Sequence, residues 1–132
     1  MKPRFIIVAV LIFLTALIHT TGGELTDIKA LMQSAIAANL KMELRAVWYL
    51  VAADLFFSAG YLIFLIYKNT INENRILINF IGIRIFCYGC VILFLILFTD
   101  IKLLFQVPQW ILLMIIGILT LWDEICVRLS GQ

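Results

Sequence analysis

The stretch ILINFIGIRIFCYGCVILFLILF, residues 76–98, carries a single charge, Arg84, and no proline. A helix needs about 20 apolar residues to cross a hydrocarbon core. A barrel strand would alternate apolar and polar residues, and this run does not. It is therefore read as a transmembrane helix, which satisfies every backbone group within its own segment. Three further runs of similar character lie at residues 5–21, 46–67 and 110–127. The expected fold is all-α: one integral membrane domain spanning residues 1–132, built as an antiparallel bundle of four transmembrane helices.

Composition supports this reading. The chain is 64% hydrophobic and 14% charged, with a mean hydropathy of +1.12, against about 45–50% apolar residues in soluble domains. A soluble core of this length could not hide so much apolar surface, so the expected partner is a lipid bilayer. A net charge of +2 with no basic tail gives no basis for nucleic-acid binding. Lys2 and Arg4 ahead of the first run imitate a signal peptide, but Ile18-His19-Thr20-Thr21 lacks a small-x-small cleavage site. The run is expected to be retained as the first span.

Positive charge near span ends sets orientation. With the N-terminus inside, Lys2, Arg4, Lys68, Arg75 and Arg128 face the cytoplasm, and Lys29, Lys41, Arg45 and Lys102 face out. Both termini are thus expected on the cytoplasmic side. The one long connection runs over residues 22–45. Thr21 and Glu24 have capping-box spacing. Leu25, Ile28, Leu31, Met32, Ala35, Ile36 and Leu40 follow at helical spacing, with polar residues between them. This predicts a short amphipathic interfacial helix over about residues 24–40, covering the bundle or acting as a lid. Residues 68–75 form a short polar loop, and residues 99–109 end in Pro108, just before a helix start. Trp48, Tyr49, Trp110 and Trp122 fall near span ends, where aromatic anchors belong.

Charges at bilayer depth are costly and mark sites by default. Asp54 lies about eight residues into the second span, roughly 12 Å along the helix. Ser58 and Tyr61 continue its face, and Ala52, Ala53, Ala59 and Gly60 form small-residue rows suited to close packing. Arg84 lies a similar depth into the third span from the opposite side. The axial offset between the two charges is on the order of 8 Å, within the reach of an arginine. A buried Asp54–Arg84 pair is the expected arrangement; the alternative is a hydrated path for protons or a small ion. Asn79, with Gly82, Gly89 and Cys90 on its face, is expected to hydrogen-bond across helices.

His19 is the only histidine. Counting from the span ends puts it at the depth of Glu24, Trp48 and Tyr49, which together form a candidate outer polar pocket with Asp54 at its floor. A lone histidine can relay a proton or ligate a haem iron, but it is more commonly an interfacial hydrogen-bonding residue. Cys87 and Cys90 have CxxC spacing yet sit mid-span, where an apolar medium leaves thiols inert. They are read as packing residues, with no metal and no cofactor expected. Glu124 and Arg128 have the spacing of a helical ion pair, and Asp123 shares a face with Thr120.

The segment Ile18-His19-Thr20-Thr21-Gly22-Gly23-Glu24, with Trp48 opening the next span, resembles a group of small bacterial four-span proteins of unassigned function. The resemblance covers roughly the first half of the chain. It implies a bacterial inner-membrane protein and brings no activity with it. Those proteins often carry histidine after the tryptophan, where this chain has Tyr49. Small multidrug transporters and fluoride channels share the size, but the acid of the former is missing from the first span. Gly82-Ile83-Arg84 is too little of the latter's signature. The reading is a non-enzymatic accessory or assembly subunit, or a small oligomer, with no catalytic residues. A transporter or channel using Asp54 and Arg84 is the alternative. A redox or quinone-linked subunit using His19, Trp48 and Tyr49 comes third.

Overall fold

The computed structural model describes residues 3–129, with side chains as far as Cys126. The described residues are all helix, turn and loop, without strands. The helices are α1 (Pro3–Gly23), a π turn (Glu24–Ile28), α2 (Lys29–Gln33), α3 (Ala38–Lys68), α4 (Arg75–Thr99), a 3-10 turn (Ile101–Leu104) and α5 (Gln109–Leu129). Among these residues, four helical stretches are long and apolar enough to cross a membrane: Pro3–Gln33, Ala38–Lys68, Arg75–Thr99 and Gln109–Cys126. This is the architecture of a four-helix transmembrane bundle.

The apolar runs set the spans, but they do not set the helix ends. The segment after Gly23 continues the helix of the first span as the π turn and α2, and it ends at Gln33 rather than near residue 40. The helix of the first span runs without a break through Gly22 and Gly23 into the π turn and α2. No helix starts at Thr21, so there is no orphan N–H there for a capping box to satisfy. Thr21 Oγ1 donates instead to the Leu17 carbonyl at 2.7 Å. Ser34 closes α2 with an extended ψ of 165°, and its hydroxyl donates to the Leu31 carbonyl at 2.6 Å. The chain then re-enters helix at Ala38, eight residues before the apolar run begins. Residues 38–45 include alanine, two leucines, methionine, glutamate, lysine and arginine, all strong helix formers. Lys41 Nζ reaches back to the Met32 carbonyl at 2.8 Å, tying the start of α3 to the end of α2.

Contacts divide the chain into two compact units: Ala9–Phe64, and Met1–Val8 with Leu65–Gln132. In the first, α1 and α3 pair through Phe13 and Phe56, edge to face at 5.6 Å, and through His19 and Trp48, described below. The buried positions of α3 are Ala52, Leu55, Ser58, Ala59, Leu62 and Leu65, a stripe at helical spacing. Hydroxyls within the helices are satisfied locally: Thr15, Thr20 and Ser58 donate to the carbonyls of Leu11, Ala16 and Asp54. Such back-bonding gives the hydroxyl proton an acceptor within its own helix.

In the second unit, α4 and α5 pack tightly through glycine. A Cβ on Gly117 would stand 2.6 Å from Phe86 Cβ and 2.9 Å from the Gly82 carbonyl. One on Gly89 would stand 2.8 Å from the Trp110 carbonyl. Glycine at these positions brings backbone against backbone, the packing that drives helix association where lipid supplies no hydrophobic force. Ile85 and Ile116 are fully buried beside this seam. The α3–α4 loop is fixed by a Schellman motif. Asn69 takes the left-handed conformation (φ 56°), Asn69 N–H bonds to the Ile66 carbonyl and Thr70 N–H to the Leu65 carbonyl, both at 3.1 Å. In the next connection the Asp100 side chain accepts from Lys102 N–H at 2.9 Å. Trp110 Nε1 donates to the Leu104 carbonyl at 3.2 Å.

Elsewhere the helices present large apolar side chains outward, among them Phe57, Ile76 and Phe98, each more than three-quarters exposed. Cys87 and Cys126 belong to this outer surface, not to the packing expected of the CxxC segment, and Cys90 is half-buried.

Candidate functional site

The sequence supplies one polar cluster and the fold reveals a second. The first sits where α1 passes into the π turn, opposite the early turns of α3. Gly23 is its foundation. A Cβ there would fall 1.9 Å from Trp48 Cζ2, so only glycine leaves room for the indole against α1. The Trp48 ring stacks on the His19 ring at 4.0 Å with a 12° interplanar angle. The two residues also exchange hydrogen bonds. Trp48 Nε1 donates to the His19 carbonyl at 3.2 Å. His19 Nε2 lies 3.2 Å from the Trp48 carbonyl. A carbonyl only accepts, so in this arrangement Nε2 carries the proton.

One turn further, Glu24 opens the π turn and points its carboxylate at α3. Arg45 Nη2 donates to Oε1 and Tyr49 Oη to Oε2, both at 2.6 Å. Arg45 also lies over the Tyr49 ring, 5.7 Å from its centre. Arg45, Trp48 and Tyr49 share one face of α3 at i, i+3 and i+4. The wider π turn displaces the following backbone relative to an α-helical path, and such insertions often accompany functional positions. Here its first residue is the one that bridges to α3.

The structure thus brings His19, Glu24, Trp48 and Tyr49 together. Arg45 joins them, although the sequence reading counted it only as a charge outside the span. Its spacing of four from Tyr49 was the available signal. Asp54 lies five residues further along α3, roughly 7.5 Å deeper by helix rise. It is half-buried, and its backbone carbonyl accepts the Ser58 hydroxyl at 2.7 Å. Arg84 is half-buried on α4, its guanidinium 5.6 Å from the Phe80 ring centre.

The second cluster lies wholly within the other unit. Arg4 Nη1 bonds Asp123 Oδ1 at 2.7 Å, closing the start of α1 on the last turns of α5. Asp123 therefore pairs across the fold with Arg4, 119 residues away. The Glu124–Arg128 pair expected from spacing lies outside the described side chains. Around the Arg4–Asp123 pair is a shallow pocket of about 10 Å³, lined by Asn72, Arg75, Asn79, Thr120 and Glu124 with Phe5, Ile71 and Ile78. Asn79, expected to bond across helices, lines this pocket. Among the described residues no three His, Cys, Asp or Glu side chains stand close enough to share a metal ion.

No protein-family model matches the sequence, and neither the curated proteins nor the solved structures include a significant match.

Proposed function

We propose that this chain is a small integral membrane protein with a non-enzymatic role, an accessory or assembly subunit that works in contact with another membrane protein or with further copies of itself. The observation that carries this reading is the self-contained character of the His19–Trp48 cluster. Each ring bonds the other residue's backbone, and both carboxylate oxygens of Glu24 are taken up by Arg45 and Tyr49. Groups engaged in this way hold α1 and α3 in register. They resemble a joint more than a site with reactive atoms held open for substrate. The outward apolar surface leaves most of the chain's contacts to lipid or to partner helices.

The location we propose is the bacterial inner membrane, as the resemblance of the first half implies, with both termini cytoplasmic, following the charge distribution. Of the apolar positions between residues 24 and 40, only Ile28 is buried in the protein, while Leu25, Met32 and Ile36 are exposed. This suits a segment lying in the headgroup region. The Asp54–Arg84 pair stays part of the proposal, carried by the register of the two spans in the sequence. A second reading, transport through a hydrated path, draws on the same two half-buried charges. Reconstitution separates them. Transport predicts a pH- or ion-dependent flux in liposomes that Asp54→Asn abolishes while the protein still folds. The subunit reading predicts no such flux, and recovery of a partner when the protein is extracted mildly from native membrane.

A further inference from the structure

The connection between α2 and α3 carries a pattern that the joint at Glu24 does not use. It reads Ser34-Ala35-Ile36-Ala37, followed by Ala38 at the start of α3. Alanine at 35 and 37 is small-x-small, the arrangement a signal peptidase reads at the third and first residues before its cut. In an extended substrate those two side chains point to one face, and the residue between them points to the other. With the N-terminus cytoplasmic, the connection lies on the outer side. Lys2 and Arg4, then the apolar run of residues 5–21, precede it, so the basic, apolar and cleavage regions of a signal sequence follow in order. The backbone suits this reading. Ser34 ends α2 with ψ 165°, and no helix resumes before Ala38. Ala35, Ile36, Ala37 and Ala38 are all exposed. The Ala37 carbonyl accepts the Lys41 N–H at 3.1 Å, a first-turn bond at a helix end, where fraying is cheapest. About 18 Å of helix separates the end of the apolar run from Gln33. Within that stretch α2 has no buried residue, so it opens locally at little cost. From Ile28, the last buried residue before the connection, the chain to Ala37 reaches about 30 Å when extended. That is enough to present the bond at the membrane surface.

We propose that the Ala37–Ala38 peptide bond is the cleavage site of an outer-side, membrane-bound protease of the signal-peptidase type. The reaction is hydrolysis. Water is consumed, the C–N bond breaks, Ala37 keeps a carboxylate and Ala38 gains an ammonium. The two pieces stay together after the cut. Glu24 with Arg45 and Tyr49, and His19 with Trp48, each join the part before the bond to the part after it. The inference rests on the topology proposed above and is independent of the subunit role.

The test incubates the full chain in detergent micelles with a purified bacterial signal peptidase. Products are read by denaturing mass spectrometry. Micelles expose both ends of the bundle, so the result does not depend on topology, which thiol labelling at Cys126 reads separately. One cut is expected, with a new N-terminus at Ala38. A native spectrum of the same sample is expected to keep the two pieces together, heavier than the uncut chain by one water. Ala37→Leu overfills the pocket for the first residue before the cut, and Ala35→Asp puts a charge in the pocket for the third. Both changes fall on exposed loop positions. Each is expected to slow the cut by roughly tenfold or more, the usual discrimination of a close-fitting pocket. Ile36→Val, between them, is expected to leave the rate unchanged. No cut, a cut at another bond, or equal rates for Ala37→Leu and the unaltered chain would overturn the proposal.

Discussion

At the scale of single residues, Gly23 decides whether the joint between α1 and α3 can form. The Trp48 indole occupies the place a Cβ would take. Gly23→Ala is therefore expected to push Trp48 off α1 and break both backbone hydrogen bonds. Destabilisation of about 1–3 kcal/mol is the usual cost of overpacking. Thermal melting, together with the emission of Trp48 in a Trp110→Phe/Trp122→Phe background, would register it as a lower Tm and a shifted spectrum. His19→Phe keeps the ring stack and removes one hydrogen bond, so a smaller loss of about 1 kcal/mol is expected. For Asp54 and Arg84, Asp54→Asn should lower the Tm, and the Asp54→Arg/Arg84→Asp swap should recover part of it. Unchanged melting in both would contradict the pairing. The depth of His19, Glu24, Trp48 and Tyr49 was legible in the sequence, because depth follows from counting along a span. The direction each side chain faces was not. The mutual stacking of His19 and Trp48 depends on helix rotation and on the missing Cβ of Gly23, and hydropathy records neither.

At the scale of elements, the glycines separate into two kinds that a sequence cannot tell apart. Gly117 faces the backbone of Phe86, whereas a Cβ on Gly60 would meet nothing within 4 Å. Gly117→Ala is expected to force α4 and α5 apart and lower stability. Gly60→Ala should be neutral or stabilising by up to about 1 kcal/mol, the difference in helix propensity. Melting both variants in one detergent checks the contrast, and equal effects would contradict the packing described for α4 and α5. The boundaries of the spans show the same division. Hydropathy places the apolar runs well, since lipid dictates them. It could not foresee that α1 runs on through two glycines, or that α3 starts eight residues early. Those ends are set by helix propensity, the π turn and the Ser34 break. The Schellman motif at Asn69 was likewise invisible to a reading based on span length.

At the scale of the whole molecule, the class of protein was legible almost entirely, because four long apolar runs leave few other solutions. The second cluster was not. Arg4 and Asp123 are 119 residues apart, and no local pattern links them. Orientation can be checked with the chain's own thiols. Cys126 lies exposed near the end of α5, while Cys87 and Cys90 lie mid-helix. With the C-terminus cytoplasmic, a membrane-impermeant maleimide should label Cys126 in inverted vesicles and leave it unlabelled in intact cells. The opposite pattern would reverse the topology. The proposed role is tested most directly by native mass spectrometry of the protein extracted from its own membrane into nanodiscs. The account predicts the 15.1 kDa chain in a complex of fixed stoichiometry with at least one other protein chain, a different subunit or a copy of itself. A spectrum showing the single chain with lipid alone would contradict it.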